Sequence, residues 1–196
     1  GRFNLFNYRG ATIIADYGHN PDAIQALVDA VGNMPAPSGS RRTVVISGAG
    51  DRRDEDIRRQ TEILGEAFDR AVLYQDACQR GRADGEVLAL LRQGLQGAER
   101  ASHVEEIHGE FTAIDHALDR LQAGDLCLIL IDQVQEALAH IQQRAAKAKR
   151  SRKPRAAKAA APKKPAAKTA AKTAAKTAGK AAVKKTAAKT GKKAAP

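Results

Sequence analysis

Two stretches of this chain place charged side chains directly behind short apolar runs. Ala11 to Ala15 leads into Asp16-Tyr17-Gly18-His19-Asn20-Pro21-Asp22, and Thr43 to Ser47 leads into Gly48-Ala49-Gly50-Asp51-Arg52-Arg53-Asp54. A carboxylate such as Asp16 at a strand end accepts two hydroxyl hydrogen bonds, as a ribose requires, and His19 and Asn20 add a ring and an amide beside a helix start. Two loops of this kind are what an open sheet needs to hold a nucleotide and a charged second substrate at one edge. A plain structural reading stands beside this one. Asp16 and Asn20 also serve as helix caps, Asp54, Glu55 and Asp56 complement a helix dipole, and Arg80 and Arg82 are surface charge.

Other chemistry is not indicated. Neither loop contains Gly-Lys-Ser/Thr, and no phosphate-cradling P-loop occurs anywhere in the chain. His103, His108, His116 and His140 are scattered without metal-site spacing, so no metal site is expected. Cys78 and Cys127 form no CxxC pair, and Cys127 lies inside the strand-like Leu126-Cys127-Leu128-Ile129-Leu130, which reads as a reduced core thiol.

The elements that must position these loops follow from periodicity. Phe3 to Tyr8 and Ala11 to Asp16 flank Arg9-Gly10, a hairpin turn. Asn20 caps a helix with Pro21 in its first turn and Ile24, Leu27, Val28 and Val31 on one face. A strand at Thr43 to Ser47 precedes a helix from about Asp54, on which Ile57, Leu64 and Phe68 share a face. The alternation continues with strand Ala71 to Tyr74, helix Glu86 to Leu95, segment Val104 to Ile107, helix Phe111 to Leu121, strand Leu126 to Ile131 and helix Val134 to Gln143. This order predicts an α/β fold with a doubly wound, mainly parallel sheet, an antiparallel first strand, and ligands outside the carboxyl ends of the strands.

Charge divides the chain in two. Residues 1 to 144 hold fifteen Arg, no Lys and all twenty-two acids, a net of −7, whereas residues 145 to 196 hold eighteen Lys or Arg and no acid. The overall +11 therefore describes neither part. Every Phe and Tyr lies before residue 112, and the apolar content of the second part is almost all alanine, which buries too little area to order a chain. One folded domain over 1–144 and a disordered basic tail over 145–196 are expected. No apolar run approaches the roughly 20 residues of a membrane span, and no signal peptide is evident, so a cytoplasmic protein is expected. A start at Gly1 without Met suggests a piece of a longer protein.

With Gly1-Arg2-Phe3-Asn4-Leu5 in front, the two loops resemble the C-terminal domain of the Mur ligase superfamily from Gly1 to about Arg144. Within it the pattern is most similar to the ligases that attach arginine to a poly-aspartate backbone; other peptidoglycan or folate ligases are the alternative. The resemblance implies an ATP-dependent acid–amino-acid ligase whose upstream central domain supplies the P-loop and the magnesium ligands, so this part alone would be inactive. It assigns Asp16, His19 and Asn20 to ATP, Arg2 to its phosphates, and Arg52 to the incoming amino acid. The next strand's loop reads Gln75-Asp76-Ala77-Cys78-Gln79-Arg80-Gly81-Arg82, not the DNPR of diaminopimelate-specific ligases, so another amino acid is expected. Asp76 and Glu86 suit a guanidinium, and Arg80 or Arg82 a carboxylate. The resemblance also implies a homo-oligomer in the intact enzyme.

The tail repeats Lys-Thr-Ala-Ala from Lys168 and resembles linker-histone tails. It offers charge without base-reading groups, which favours nonspecific binding to nucleic acid or another polyanion, including the polymer product. A wholly non-catalytic, DNA-associated protein is the alternative from a different class.

Overall fold

A computed structural model describes residues 3–75 and 79–151. Arg2, Asp76 and most of the basic tail lie outside the described residues. Six strands and five helices alternate: β1 (Asn4–Tyr8), β2 (Ala11–Asp16), α1 (Pro21–Gly32), β3 (Arg42–Ile46), α2 (Asp54–Ala67), β4 (Arg70–Gln75), α3 (Glu86–Gly94), β5 (His103–His108), α4 (Glu110–Arg120), β6 (Leu126–Leu130) and α5 (Val134–Ser151). The sheet order is β1-β2-β6-β3-β4-β5. Only the β1–β2 pair is antiparallel; β2, β6, β3, β4 and β5 run parallel.

Local chemistry accounts for the elements. Arg9 and Gly10 both have positive φ, +55° and +93°, as the tight turn of a type I′ hairpin requires. At α1, the Asn20 side-chain oxygen accepts the Ala23 N–H at 2.8 Å, and Pro21 takes the first helical position, where its missing N–H costs nothing. The central strand β6, Leu-Cys-Leu-Ile-Leu, is buried along its whole length, because helices cover both faces.

One core layer joins α1, α2 and α3 to the sheet through Ile24, Val31, Ile57, Leu64, Val87 and Leu91. The other joins α4 and α5 through Ala113, Ile114, Leu118, Ala137 and Ile141. The helices after β2 and β3 thus leave to one face, and the helix after β6, the strand between them, leaves to the other. That divergence opens a crevice at the carboxyl edge.

Phe68 follows α2 rather than ending it, although it is fully buried as its spacing implied. The largest departure is α5. It runs eight residues beyond Gln143, to Ser151, and Ala148 is 5% exposed, so the first residues of the basic segment are helical and packed rather than disordered. Alanine explains both, since it favours helix and fits closely against the neighbouring hairpin. Among the described residues no helix is long and apolar enough to cross a membrane.

Candidate functional site

The loops after β2, β3, β4 and β6 converge on one cleft. Tyr17, Gly18 and His19 line it from the first loop, Ser47 and Gly48 from the second, Arg80 from the third, and Asp132 from the last. Its floor includes Tyr74, whose hydroxyl donates to the Leu130 carbonyl at 3.1 Å.

Asp16 ends β2 and is 6% exposed. Its main-chain oxygen accepts Ile131 N–H at 2.9 Å, fastening β2 to the β6 loop, and its Oδ2 accepts Phe3 N–H at 2.6 Å. The carboxylate therefore ties the residue after Arg2 to the cleft margin. Phe3 holds a φ of +51°, a conformation a bulky side chain adopts only under outside constraint.

His19 Nδ1 lies 3.1 Å from the Tyr17 carbonyl oxygen. A carbonyl only accepts, so Nδ1 carries a proton and Nε2 is the ring nitrogen left for a ligand. The His19 and Tyr17 rings stack at a tilt, 4.7 Å between centroids. Gln60, 1% exposed on α2, donates to the His19 carbonyl at 3.2 Å and fixes the loop from behind. Asn20 spends its side-chain oxygen on the α1 cap.

The two arginines of the β4 loop have different surroundings. Arg80 lines the cleft and has a φ of +49°, and its guanidinium reaches Asp51 at 3.4 Å and Asp132 at 3.1 Å. Partial burial opposes its charge, but Asp132, Asp51 and the Tyr17 hydroxyl outweigh it and raise its pKa above the usual arginine value. Arg82 points into the protein. Its Nε donates to the Gly50 carbonyl at 2.7 Å, and its terminal nitrogens reach the Arg52 carbonyl at 2.6 Å, Asp54 at 2.8 Å and Glu86 at 2.6 Å. Glu86 also accepts Ala83 N–H at 3.1 Å, so its carboxylate is engaged within the protein.

The β3 loop sits hard against the β4 loop. A Cβ on Gly50 would fall 2.1 Å from the Gln79 carbonyl oxygen, which only glycine avoids. Held this way, the loop exposes Arg52, whose side chain makes no hydrogen bond or ion pair among the described residues.

Of the residues anticipated from sequence, His19 and Arg80 line the cleft, Asp16 lies behind it, Asn20 caps the adjoining helix, and Arg52 stands on the neighbouring loop. Arg82 braces the loops, and Arg2 and Asp76 lie outside the described residues. Sequence reasoning missed Asp51, Asp132 and the buried Glu110. Glu110, 1% exposed, accepts the N–H groups of Asp132 at 2.8 Å and Gln133 at 3.0 Å, and so sets the loop that presents Asp132. Asp132 was open to the logic applied to Asp16, as an acid just past a strand end. Glu110 gave no such signal, since its partners are backbone groups 22 and 23 residues away. Among the described residues no three His, Cys, Asp or Glu side chains gather as a cation site.

Residues 1–130 match the family described as "Mur ligase, glutamate ligase domain". The chain belongs to the Mur ligase family. The cyanophycin synthetase of Crocosphaera subtropica is 35% identical over 144 residues, which is 74% of this chain and 16% of that relative. Among solved Mur ligase structures, a UDP-N-acetylmuramoyl-L-alanyl-D-glutamate–2,6-diaminopimelate ligase superposes with a TM-score of 0.58 at 21% identity, covering 74% of this chain and 32% of that one. E. coli FolC in complex with ADP superposes at 0.56 with 22% identity, covering 73% and 32%. At these identities the structural likeness is one of fold. The expected α/β Mur ligase C-terminal fold is the observed one, and the chain spans about a sixth of the length of the curated relative.

Proposed function

We propose that this chain is the nucleotide- and amino-acid-positioning domain of an ATP-dependent acid–amino-acid ligase of the cyanophycin synthetase type, working with an upstream domain that carries the P-loop. The observation that carries this reading is the convergence of four strand-end loops on one cleft edged by His19, Arg80 and Asp132, with Asp16 behind it. Asp16 keeps Oδ1 for a ribose hydroxyl, His19 Nε2 accepts a second hydrogen bond, and Arg2, which precedes the Phe3 anchor in sequence, would serve the phosphates. Arg52 and Arg80 meet the incoming amino acid, with Arg82 as the brace that aims them. Asp51 and Asp132, now shared by Arg80, provide the negative charge that a guanidinium side chain needs.

A poly-aspartate carboxylate would be activated as an acyl phosphate, and the α-amine of arginine would displace the phosphate to form the isopeptide bond. Magnesium would be held mainly by the upstream domain with the ATP phosphates. This domain's share is orientation, which for well-placed reactants is worth several kcal/mol of the barrier. An alternative amino acid, as used by other Mur or folate ligases, would still employ Arg52 but not the Asp51–Asp132 pair.

The test is arginine-dependent ATP turnover on a poly-aspartate primer by the intact protein. Full activity with arginine is expected, none from the 196-residue chain alone. ATP hydrolysis by the isolated chain, or strict preference of the intact protein for another amino acid, would overturn the reading.

A further inference from the structure

The amino edge of the sheet, opposite the cleft, carries a charge pattern that the acidic composition of the folded part conceals. α5 starts beside the cleft and, at 18 residues and ~1.5 Å each, carries the chain about 27 Å to that far edge. Its end packs beside the Arg9-Gly10 hairpin. One open groove there is lined by Asn7, Arg9, Gln142, Ala145, Ala146 and Lys149. A second adjoins it around Tyr8, Arg9, Arg144 and Lys147, and a third around Arg144, Lys147 and Arg150. Among the described residues no carboxylate lines any of the three.

The neighbouring acids are already engaged. Asp115 and Asp119 both pair with Arg144, so Arg144 adds no net positive charge and the edge's charge rests on Arg9, Lys147, Lys149 and Arg150. Asp125 turns inward to the N–H groups of Arg41 and Gln122, both at 2.9 Å. The edge continues past the hairpin, because Gly10 bonds Gly124 and the Arg41 carbonyl bonds Leu126 N–H, which brings exposed Arg41 onto the same side. From Ser151 the sequence goes on with fifteen further Lys or Arg and no acid.

We infer that this edge is a docking surface for the phosphate backbone of duplex nucleic acid, contacted by Arg9, Lys147, Lys149 and Arg150 of the folded part. Duplex is favoured over single strands because single-strand sites stack bases on exposed aromatic rings. The one ring among the described residues at the grooves, Tyr8, is 2% exposed with Arg9 set over it at 5.1 Å, and no Phe, Tyr or Trp follows position 111. Small side chains at Ala145 and Ala146 let a backbone approach closely. The polymer of the preceding section is a weaker partner: each aspartate carboxylate is consumed in an amide and each arginine brings one positive and one negative group, leaving no net charge to hold. The inference does not depend on the identity of the cleft's substrates, since the two surfaces lie at opposite edges.

The experiment is a salt titration of the full chain on a 24-base-pair duplex, comparing the parent with Arg9→Ala/Lys147→Ala/Lys149→Ala/Arg150→Ala. Each lost phosphate contact should lower the log–log salt slope by about 0.9, so a fall of about 2 to 4 and at least a tenfold weaker Kd at 0.1 M salt are expected, with no dependence on base sequence. Lys149→Glu alone, at an exposed helical position, should already shift the slope. Equal slope and affinity for parent and quadruple variant would overturn the proposal, leaving binding to the tail alone. Tighter binding of poly-aspartate or single strands than of the duplex would overturn the choice of partner.

Discussion

The carboxylate of Asp16 accepts the main-chain N–H of Phe3 at 2.6 Å, so the acid that ends β2 also fixes the point where the chain enters the sheet. A hydrogen bond to a charged acceptor is shorter and stronger than a neutral one, and here it holds Phe3 in a left-handed conformation. Gly18 makes room beside this carboxylate: a Cβ there would stand 3.3 Å from Asp16 Oδ1 and 3.0 Å from Leu27. The bond thereby couples Phe3 and Asp16, two residues that the sequence places thirteen positions apart.

On the proposed function, Asp16→Ala in the intact protein should raise the KM for ATP about tenfold or more, since loss of a charge-assisted hydrogen bond costs roughly 1.5 to 3 kcal/mol. Asp16→Asn keeps an acceptor for Phe3 and should do less damage. His19→Ala should also raise it. Initial rates against ATP concentration decide the matter; an unchanged KM in folded Asp16→Ala would remove Asp16 from the nucleotide site.

The alternation of strands and helices was legible because each burial pattern is local. Period two at Ala11–Asp16 and a period near 3.6 at Ile24, Leu27 and Val31 read directly from neighbouring residues. Asp16 and His19 were legible for the same reason, being charged or aromatic groups between a strand and a capped helix. Strand order was not, because β6 inserts between β2 and β3 through pairings more than 80 residues apart. The roles of Arg80 and Arg82 were also hidden. Two residues apart and chemically identical, they differ only in what the fold brings to them, Asp51 and Asp132 for one and two carbonyls with Asp54 and Glu86 for the other.

Stability should fall in acid through Asp69. Partial burial pushes its carboxyl up, but the Arg100 fork, the Arg42 N–H and both charges together hold it below the usual range. A carboxyl depressed in the folded state stabilises above its unfolded pKa of ~3.9 and loses that stabilisation as pH falls through the folded value. Asp69→Asn should therefore melt below the parent at pH 6, with the gap closing toward pH 2. A gap independent of pH would show that the ionised form contributes nothing.

Cys127 should be inert in the folded protein. Burial, with Asp125 adding to it, pushes its thiol up to about 12, so only about one molecule in 10⁴ carries a thiolate at pH 8. In a Cys78→Ser background, a thiol reagent should label the chain only at the rate of unfolding. Fast stoichiometric labelling under native conditions would contradict the buried placement.

Substitutions at Arg52, Arg80 and Arg82 should separate into three phenotypes. Arg82→Ala removes four contacts that join the β3 and β4 loops to the starts of α2 and α3, from a side chain only 15% exposed, and should cost on the order of 1 to 3 kcal/mol of stability. Arg82→Lys should recover little of it, because one ammonium cannot span the Gly50 and Arg52 carbonyls and two carboxylates at once. Arg52→Ala leaves no internal partner unsatisfied, so its melting temperature should match the parent while the KM for the amino acid rises about tenfold. Arg80→Ala leaves Asp51 and Asp132 without their shared cation, and should impair use of the amino acid with a modest loss of stability. Thermal melts beside initial rates against amino-acid concentration distinguish the three. Equal destabilisation by Arg52→Ala and Arg82→Ala, or a KM effect confined to Arg82→Ala, would reverse the division between brace and substrate contact.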